Sequence, residues 1–131
     1  MNIDSLVRNN VKNMSSYSSA RDEYKDTSDN MVFLDANENP FNTKYNRYPD
    51  PLQWQLKLAI ASIKGVPAEH IFIGNGSDEV IDLAFRIFCT PGVDKALTFT
   101  PTYGMYDVSA AINNVELVKV PLNKDFQIDI V

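Results

Sequence analysis

A chain of 131 residues with 44% hydrophobic content is long enough for a folded body with its own core. Its 12 basic and 17 acidic residues give a net charge of -5, and the lysines and arginines are scattered, which argues against electrostatic capture of nucleic acid or of an anionic membrane surface. One cysteine, Cys89, excludes a disulfide framework; no apolar run approaches the roughly 20 residues of a membrane span, and residues 1–30 lack a signal peptide's apolar segment. The expectation is a cytoplasmic protein whose cysteine is a buried free thiol.

Residues 1–30 are rich in Ser, Asn, Asp and Lys, with scattered apolar positions. Ile3, Leu6 and Val7 allow a short amphipathic helix inside what the composition otherwise marks as an arm. Within it, Tyr17 stands close to Arg21, a pairing that by itself reads as a packing anchor. Met31–Leu34 has the character of a brief strand, ended by the turn-forming run Asp35–Pro40. An aromatic-rich loop follows, and Asp50 before Pro51 forms a helix start in which the carboxylate caps and proline takes the first position. Leu52, Leu56, Ala59, Ile60 and Ile63 keep helical spacing up to the stop at Lys64–Gly65. His70 lies in the connector that follows and has the look of a surface residue.

Ile71–Ile73 reads as a strand that runs through Gly74–Asn75–Gly76 directly into a helix, with Val80, Leu83, Ala84, Ile87 and Phe88 on its apolar stripe. Thr90–Asp94 breaks that helix, Lys95–Phe99 forms the next strand, and Thr100–Gly104 is a second loop. Met105, Val108 and Ile112 support a third helix, Asn113–Asn114 supplies a left-handed exit, and Val115–Val120 returns as a strand. The order β-α-β-α-β favours an α/β fold with a parallel sheet, whose ligands bind at loops on the carboxyl ends of the strands. The Gly74–Glu79 and Thr100–Gly104 loops both qualify.

A strand-turn-helix junction aims free amides and the positive end of a helix dipole at an anion, although the same junction also serves plain structural roles. Gly74–Asn75–Gly76 begins like a dinucleotide fingerprint, but Glu79 stands where the third glycine belongs, and no Lys-Ser or Lys-Thr pair marks a P-loop. Asp78 and Glu79 suit the helix dipole and partly offset its pull on a second anion. Backbone amides and the Ser77 hydroxyl would then carry a phosphate. Tyr103 is either a ring that lies against a planar heterocycle or an ordinary core aromatic. One His and one Cys make no metal site, and no nucleophile elbow supports a Ser-His-Asp arrangement.

Four stretches in order, Leu34–Pro40, Arg47–Pro51, Gly74–Glu79 and Pro101–Tyr106, resemble the N-terminal part of histidinol-phosphate aminotransferases, pyridoxal-phosphate enzymes of fold type I. The resemblance covers nearly the whole chain. It implies an N-terminal arm and dimer-contact segment over residues 1–50, and the first β-α-β-α-β units of an incomplete cofactor-binding large domain over 51–131. It places Gly76, Ser77 and Asp78 at the phosphate of pyridoxal 5'-phosphate and stacks Tyr103 on the pyridine ring. Tyr48 would reach the phosphate region of the partner subunit's site in a homodimer. Tyr17, Asn37 and Tyr48 would also contact the substrate, and Ser16 replaces the family's usual proline before Tyr17.

The same resemblance puts the cofactor-bearing lysine and the substrate-gripping arginine beyond position 131, so no catalytic residue is assigned within the chain, which is expected to be inactive alone. The complete enzyme would exchange an amino group between L-histidinol phosphate and 2-oxoglutarate. Related alternatives are an aromatic amino acid aminotransferase and a decarboxylase of the threonine-phosphate type. The alternative of another class is a non-catalytic fragment that binds phosphate weakly.

Overall fold

The computed structural model describes residues 2–18, 32, 34, 36–41 and 43–129. The chain divides into two units, one formed by Met1–Met14 with Gly74–Val131, the other by Ser15–Ile73. The expected strand at Met31–Leu34 falls partly outside the described residues.

The first unit is built on a two-stranded parallel sheet, β1 (Lys95–Thr100) beside β2 (Glu116–Pro121), in register from Lys95 opposite Glu116 to Thr100 opposite Pro121. Parallel neighbours need a crossover, and here it contains the helix Met105–Ile112. The crossover leaves that helix through Asn114, whose φ of 52° is the left-handed exit anticipated for the Asn pair. The helix Ser77–Phe88 packs against the crossover helix. With the short helix Asn9–Lys12 as α1 and the Trp54–Lys64 helix of the other unit as α2, these two are α3 (Ser77–Phe88) and α4 (Met105–Ile112).

Phe85 of α3, Ala110 of α4 and Val115 before β2 form the buried core, with Ile81, Cys89, Ala96 and Leu117 packed around them. Full burial of a side chain of the Phe class contributes roughly 1.5–3 kcal/mol. The inward face of α3 therefore runs through Ile81 and Phe85 toward Cys89, rather than along the stripe drawn from spacing alone. Val80 and Phe88 of that expected stripe are 45% and 41% exposed. Apolar residues occupy so much of this helix that spacing alone allows several faces, and contact with α4 and the sheet selects the one around Phe85. Cys89 is a free thiol as expected, but half-buried; what burial there is pushes its pKa up, and the nearby Asp94 carboxylate adds to the effect.

Two devices hold the ends of α3 and α4. Asp82 accepts from Arg86 Nε one turn on (2.6 Å) and from Asn113 Nδ2 at the end of α4 (2.7 Å), which ties the helices together. The Arg86 hydrogen bond and then that of Asn113 hold Asp82 below the usual carboxylate range. At the C-terminus of α3, where carbonyls lack intrahelical donors, the Arg8 main-chain N–H reaches Ile87 O (3.0 Å) and its guanidinium reaches Arg86 O (2.8 Å). A cation there also suits the helix dipole. The region predicted to hold a short amphipathic helix forms a 3-10 turn, Ile3–Ser5, followed by α1 just before and after this clamp.

In the second unit, α2 begins three residues later than Pro51 because Asp50–Gln53 first closes a turn, with Gln53 N–H bonded to Asp50 O. Asp50 still supplies the cap: its carboxylate accepts from the amides of Leu52 (2.9 Å) and Trp54 (2.8 Å). The helix stops where expected, at Gly65, whose φ of 66° is left-handed and whose N–H bonds Ala61 O. Ile71 is extended at φ -106° and ψ 122°, yet residues 71–73 have no ladder partner among the described residues. The first strand of the expected β-α-β-α-β order is thus an extended run, since a strand in a sheet requires a neighbour to take its main-chain hydrogen bonds.

Candidate functional site

Both loops singled out in the sequence belong to the first unit. The Gly74–Glu79 loop opens α3, a helix of 12 residues, and the Thr100–Gly104 loop lies between the carboxyl end of β1 and the start of α4. The structure joins them: the Tyr103 phenol donates to Asp78 Oδ1 at 3.0 Å. Tyr103 also meets Tyr106 edge to face, with centroids 6.4 Å apart. Bonding to the Asp78 carboxylate, followed by that group's negative charge, raises the Tyr103 pKa above the usual phenol value. The ring stays neutral and is held from its hydroxyl end.

The turn itself depends on Gly76, at φ 81° and ψ 177°, a region that essentially only glycine occupies. A Cβ at this position would meet nothing within 4 Å, so the requirement comes from the backbone and not from crowding. After this turn the amides of Gly76, Ser77 and Asp78 bond no acceptor among the described residues, and neither does the Ser77 hydroxyl. All three residues are exposed. Unpaired amides at the N-terminus of a helix can receive an anion, and a phosphate monoester would fit this donor set.

Glu79 does more at this turn than suit the helix dipole. Its carboxylate turns back to accept the Asn75 N–H, much as the third residue of a capping box does. One amide of the turn is thereby taken, and the unpaired amides begin at Gly76. The signal was present as a glutamate at the third helical position, though without the usual Ser or Thr at the cap.

Tyr17, Asn37 and Tyr48 belong to the second unit. Tyr17 is 91% exposed, and Asn37 is exposed as well. Glu38, which had been given no role, joins two of the sequence motifs: its carboxylate pairs with Arg47 Nη1 (2.6 Å) and accepts the Tyr48 main-chain N–H (2.9 Å). Asn46 Nδ2 bonds Asn39 O, and Asn39 Oδ1 accepts the Phe41 N–H, closing the same loop.

A groove of about 370 Å³ lies elsewhere in the first unit, lined in part by Asp94, Lys95, Asn114 and Glu116. It sits at the amino ends of β1 and β2, the wrong end of a parallel sheet for ligand chemistry. Among the described residues there is no cluster of three or more His, Cys, Asp or Glu suited to a metal, and no helix is long and apolar enough to cross a membrane.

Helices on a parallel sheet, with unpaired amides and an aromatic ring at the carboxyl end of a strand, define an α/β protein, and sequence comparison narrows the class. The profile of the aminotransferase class I and II family matches residues 11–131, and the chain belongs to that family. It is similar to histidinol-phosphate aminotransferases from Parabacteroides distasonis (60% identity, 95% of this chain and 35% of the relative) and Cytophaga hutchinsonii (56%, 98% and 37%). The relative from Bacteroides thetaiotaomicron is 56% identical, with 95% of this chain and 36% of the relative covered. The chain thus spans little more than a third of the length of these curated relatives. A crystal structure of a candidate aminotransferase from Burkholderia pseudomallei shares the fold, with a TM-score of 0.53 at 20% identity, over 71% of this chain and 32% of that one.

Proposed function

We propose that this chain supplies the cofactor-phosphate turn and the substrate-side arm of a pyridoxal-phosphate aminotransferase acting on L-histidinol phosphate and 2-oxoglutarate. The observation that carries the reading is the juxtaposition at α3: unpaired amides of Gly76, Ser77 and Asp78 beside a phenol ring, Tyr103, anchored on Asp78. The identities of 51–60% to histidinol-phosphate aminotransferases support the substrate. In this reading residues 1–50 are the arm and dimer-contact segment, residues 51–131 belong to the cofactor-binding domain, and the complete protein is a cytoplasmic homodimer.

Pyridoxal 5'-phosphate, when bound, supplies the electron sink that lets an amino group move between an amine and a 2-oxo acid. This chain's residues bind and orient. The Gly76–Asp78 amides and the Ser77 hydroxyl hold the phosphate, with the α3 dipole adding to the attraction. Tyr103, held from its hydroxyl by Asp78, would lie against the pyridine ring. Tyr48 reaches the phosphate region of the partner subunit's site, and Tyr17 and Asn37 face the substrate. Holding Tyr103 in place before substrate arrives lowers the entropic part of the barrier.

Steady-state kinetics of the complete protein with L-histidinol phosphate and with phenylalanine test the assignment. A kcat/KM for histidinol phosphate at least tenfold above that for phenylalanine is expected. A preference for phenylalanine would move the protein to the aromatic branch and overturn the substrate.

A further inference from the structure

An exposed tyrosine on a loop is a poor ligand for a phosphate unless something fixes its backbone. Tyr48 is 64% exposed, and two constraints converge on it. Pro49 follows directly, and a residue before proline is sterically confined to extended ψ. On the other side, its N–H is held at 2.9 Å by Glu38, ten residues earlier in the chain.

Glu38 is unusual in this setting. Its side chain is only 5% exposed, whereas that of its partner Arg47 is 59% exposed. Withdrawing a carboxylate from water is costly unless it is paired and hydrogen-bonded. Here one oxygen takes the Arg47 guanidinium and the other takes the Tyr48 amide, so a single buried group orders two successive residues. The bonds from Asn46 to Asn39 and from Phe41 to Asn39 restrain the flanks of the same loop. The loop is thereby tightened around Glu38, and the phenol at its rim is left projecting.

We propose that Glu38 is the positioning residue of Tyr48: through the Tyr48 amide it presents the phenol in the geometry that a phosphate oxyanion requires. The inference rests on the reading of Tyr48 given above. Arg47 neutralises the buried carboxylate, and the acceptor at position 38 is what fixes the tyrosine. An ion pair alone would leave the Tyr48 amide to water and its ring to sweep a wider arc.

The test is the ratio of affinities of the complete protein for pyridoxal 5'-phosphate and for pyridoxal, measured at equilibrium by absorbance. General loosening weakens both ligands and leaves the ratio unchanged, whereas loss of a phosphate contact lowers it. Tyr48→Phe should lower the ratio about 10- to 100-fold, the usual size for a hydrogen bond to a charged group. Glu38→Met, close in volume but lacking an acceptor, should lower it by a similar factor. Glu38→Gln keeps an oxygen for the Tyr48 amide and should restore the ratio to within about threefold of the parent. The charge-swapped pair Glu38→Arg with Arg47→Glu keeps an ion pair but has no acceptor at position 38, and should stay low; it carries the test should Glu38→Met fail to fold. If Tyr48→Phe lowers the ratio while Glu38→Met or the swapped pair does not, the positioning role is overturned and the reading of Tyr48 stands. An unchanged ratio in Tyr48→Phe overturns the reading of Tyr48 and the inference with it.

Discussion

Replacing Gly76 with alanine isolates the contribution of the turn before α3. The residue has φ 81° and ψ 177°, where a non-glycine residue costs roughly 1–3 kcal/mol. An added Cβ would meet no atom within 4 Å, so the whole penalty is torsional. The variant can keep the turn and bear that strain, or rotate to negative φ and swing the Gly76 and Ser77 amides away from a common target. Phosphate binding selects the strained geometry, so a relaxed variant loses the same roughly 1–3 kcal/mol from binding, about 5- to 150-fold in affinity. The assay is equilibrium binding of pyridoxal 5'-phosphate to the complete protein. Gly65→Ala is the control: Gly65 is also left-handed at φ 66° with no atom within 4 Å of a Cβ, but it ends α2 in the other unit. It should lose about 1–2 kcal/mol of stability and keep its affinity. Binding within twofold of the parent in a Gly76→Ala variant that has lost no stability, and so has relaxed its turn, would refute the assignment of the phosphate to these amides, with the control behaving as stated.

Other outcomes follow from the packing and the charged groups. Phe85→Ala should cost about 3–5 kcal/mol in urea unfolding, against about 1 kcal/mol or less for the more exposed Phe88→Ala; equal losses would mean that the inward face of α3 is misassigned. Spectrophotometric titration should show Tyr103 ionising above the ordinary phenol value of about 10, and Asp78→Asn should bring it back down. Because the folded pKa is raised, the stability from this bond is fully present below the unfolded value and is lost as pH rises through the folded one. Asp82 has the opposite sign: its pKa is depressed by Arg86 and Asn113, so its contribution is present above the unfolded value and lost as pH falls through the folded one. Asp82→Asn should flatten that acid limb in pH-dependent urea melts. Asp50→Ala should remove a cap worth about 1 kcal/mol and reduce helical circular dichroism from α2.

Sequence spacing located α2, α3, α4, β1 and β2 because each carries local signals that need no tertiary partner: Asp50 before α2, Gly65 after it, and Asn114 at the exit of α4. It misjudged what depends on neighbours. The inward edge of α3 is chosen by Ala110 and Val115, which spacing along α3 cannot register. The run at Ile71–Ile73 has strand composition but finds no ladder among the described residues. In the candidate site, Gly76, Ser77, Asp78 and Tyr103 were legible as separate loops, while the bond that unites two of them spans 25 residues of sequence. Glu38 went unassigned for the same reason: its value lies in an amide and a guanidinium ten and nine residues away, and no local pattern records such a closure.

The two-stranded sheet has a consequence for handling the protein. Among the described residues each strand pairs on one side only, so both β1 and β2 offer an outer row of main-chain donors and acceptors there. Leu97 and Val118, paired in register on one face, are 57% and 39% exposed. An apolar strand with an open edge is a template for another copy of itself. Light scattering from this 131-residue chain should therefore rise with concentration, and a lysine at position 97 or 118 should delay the rise without touching the turn at Gly76.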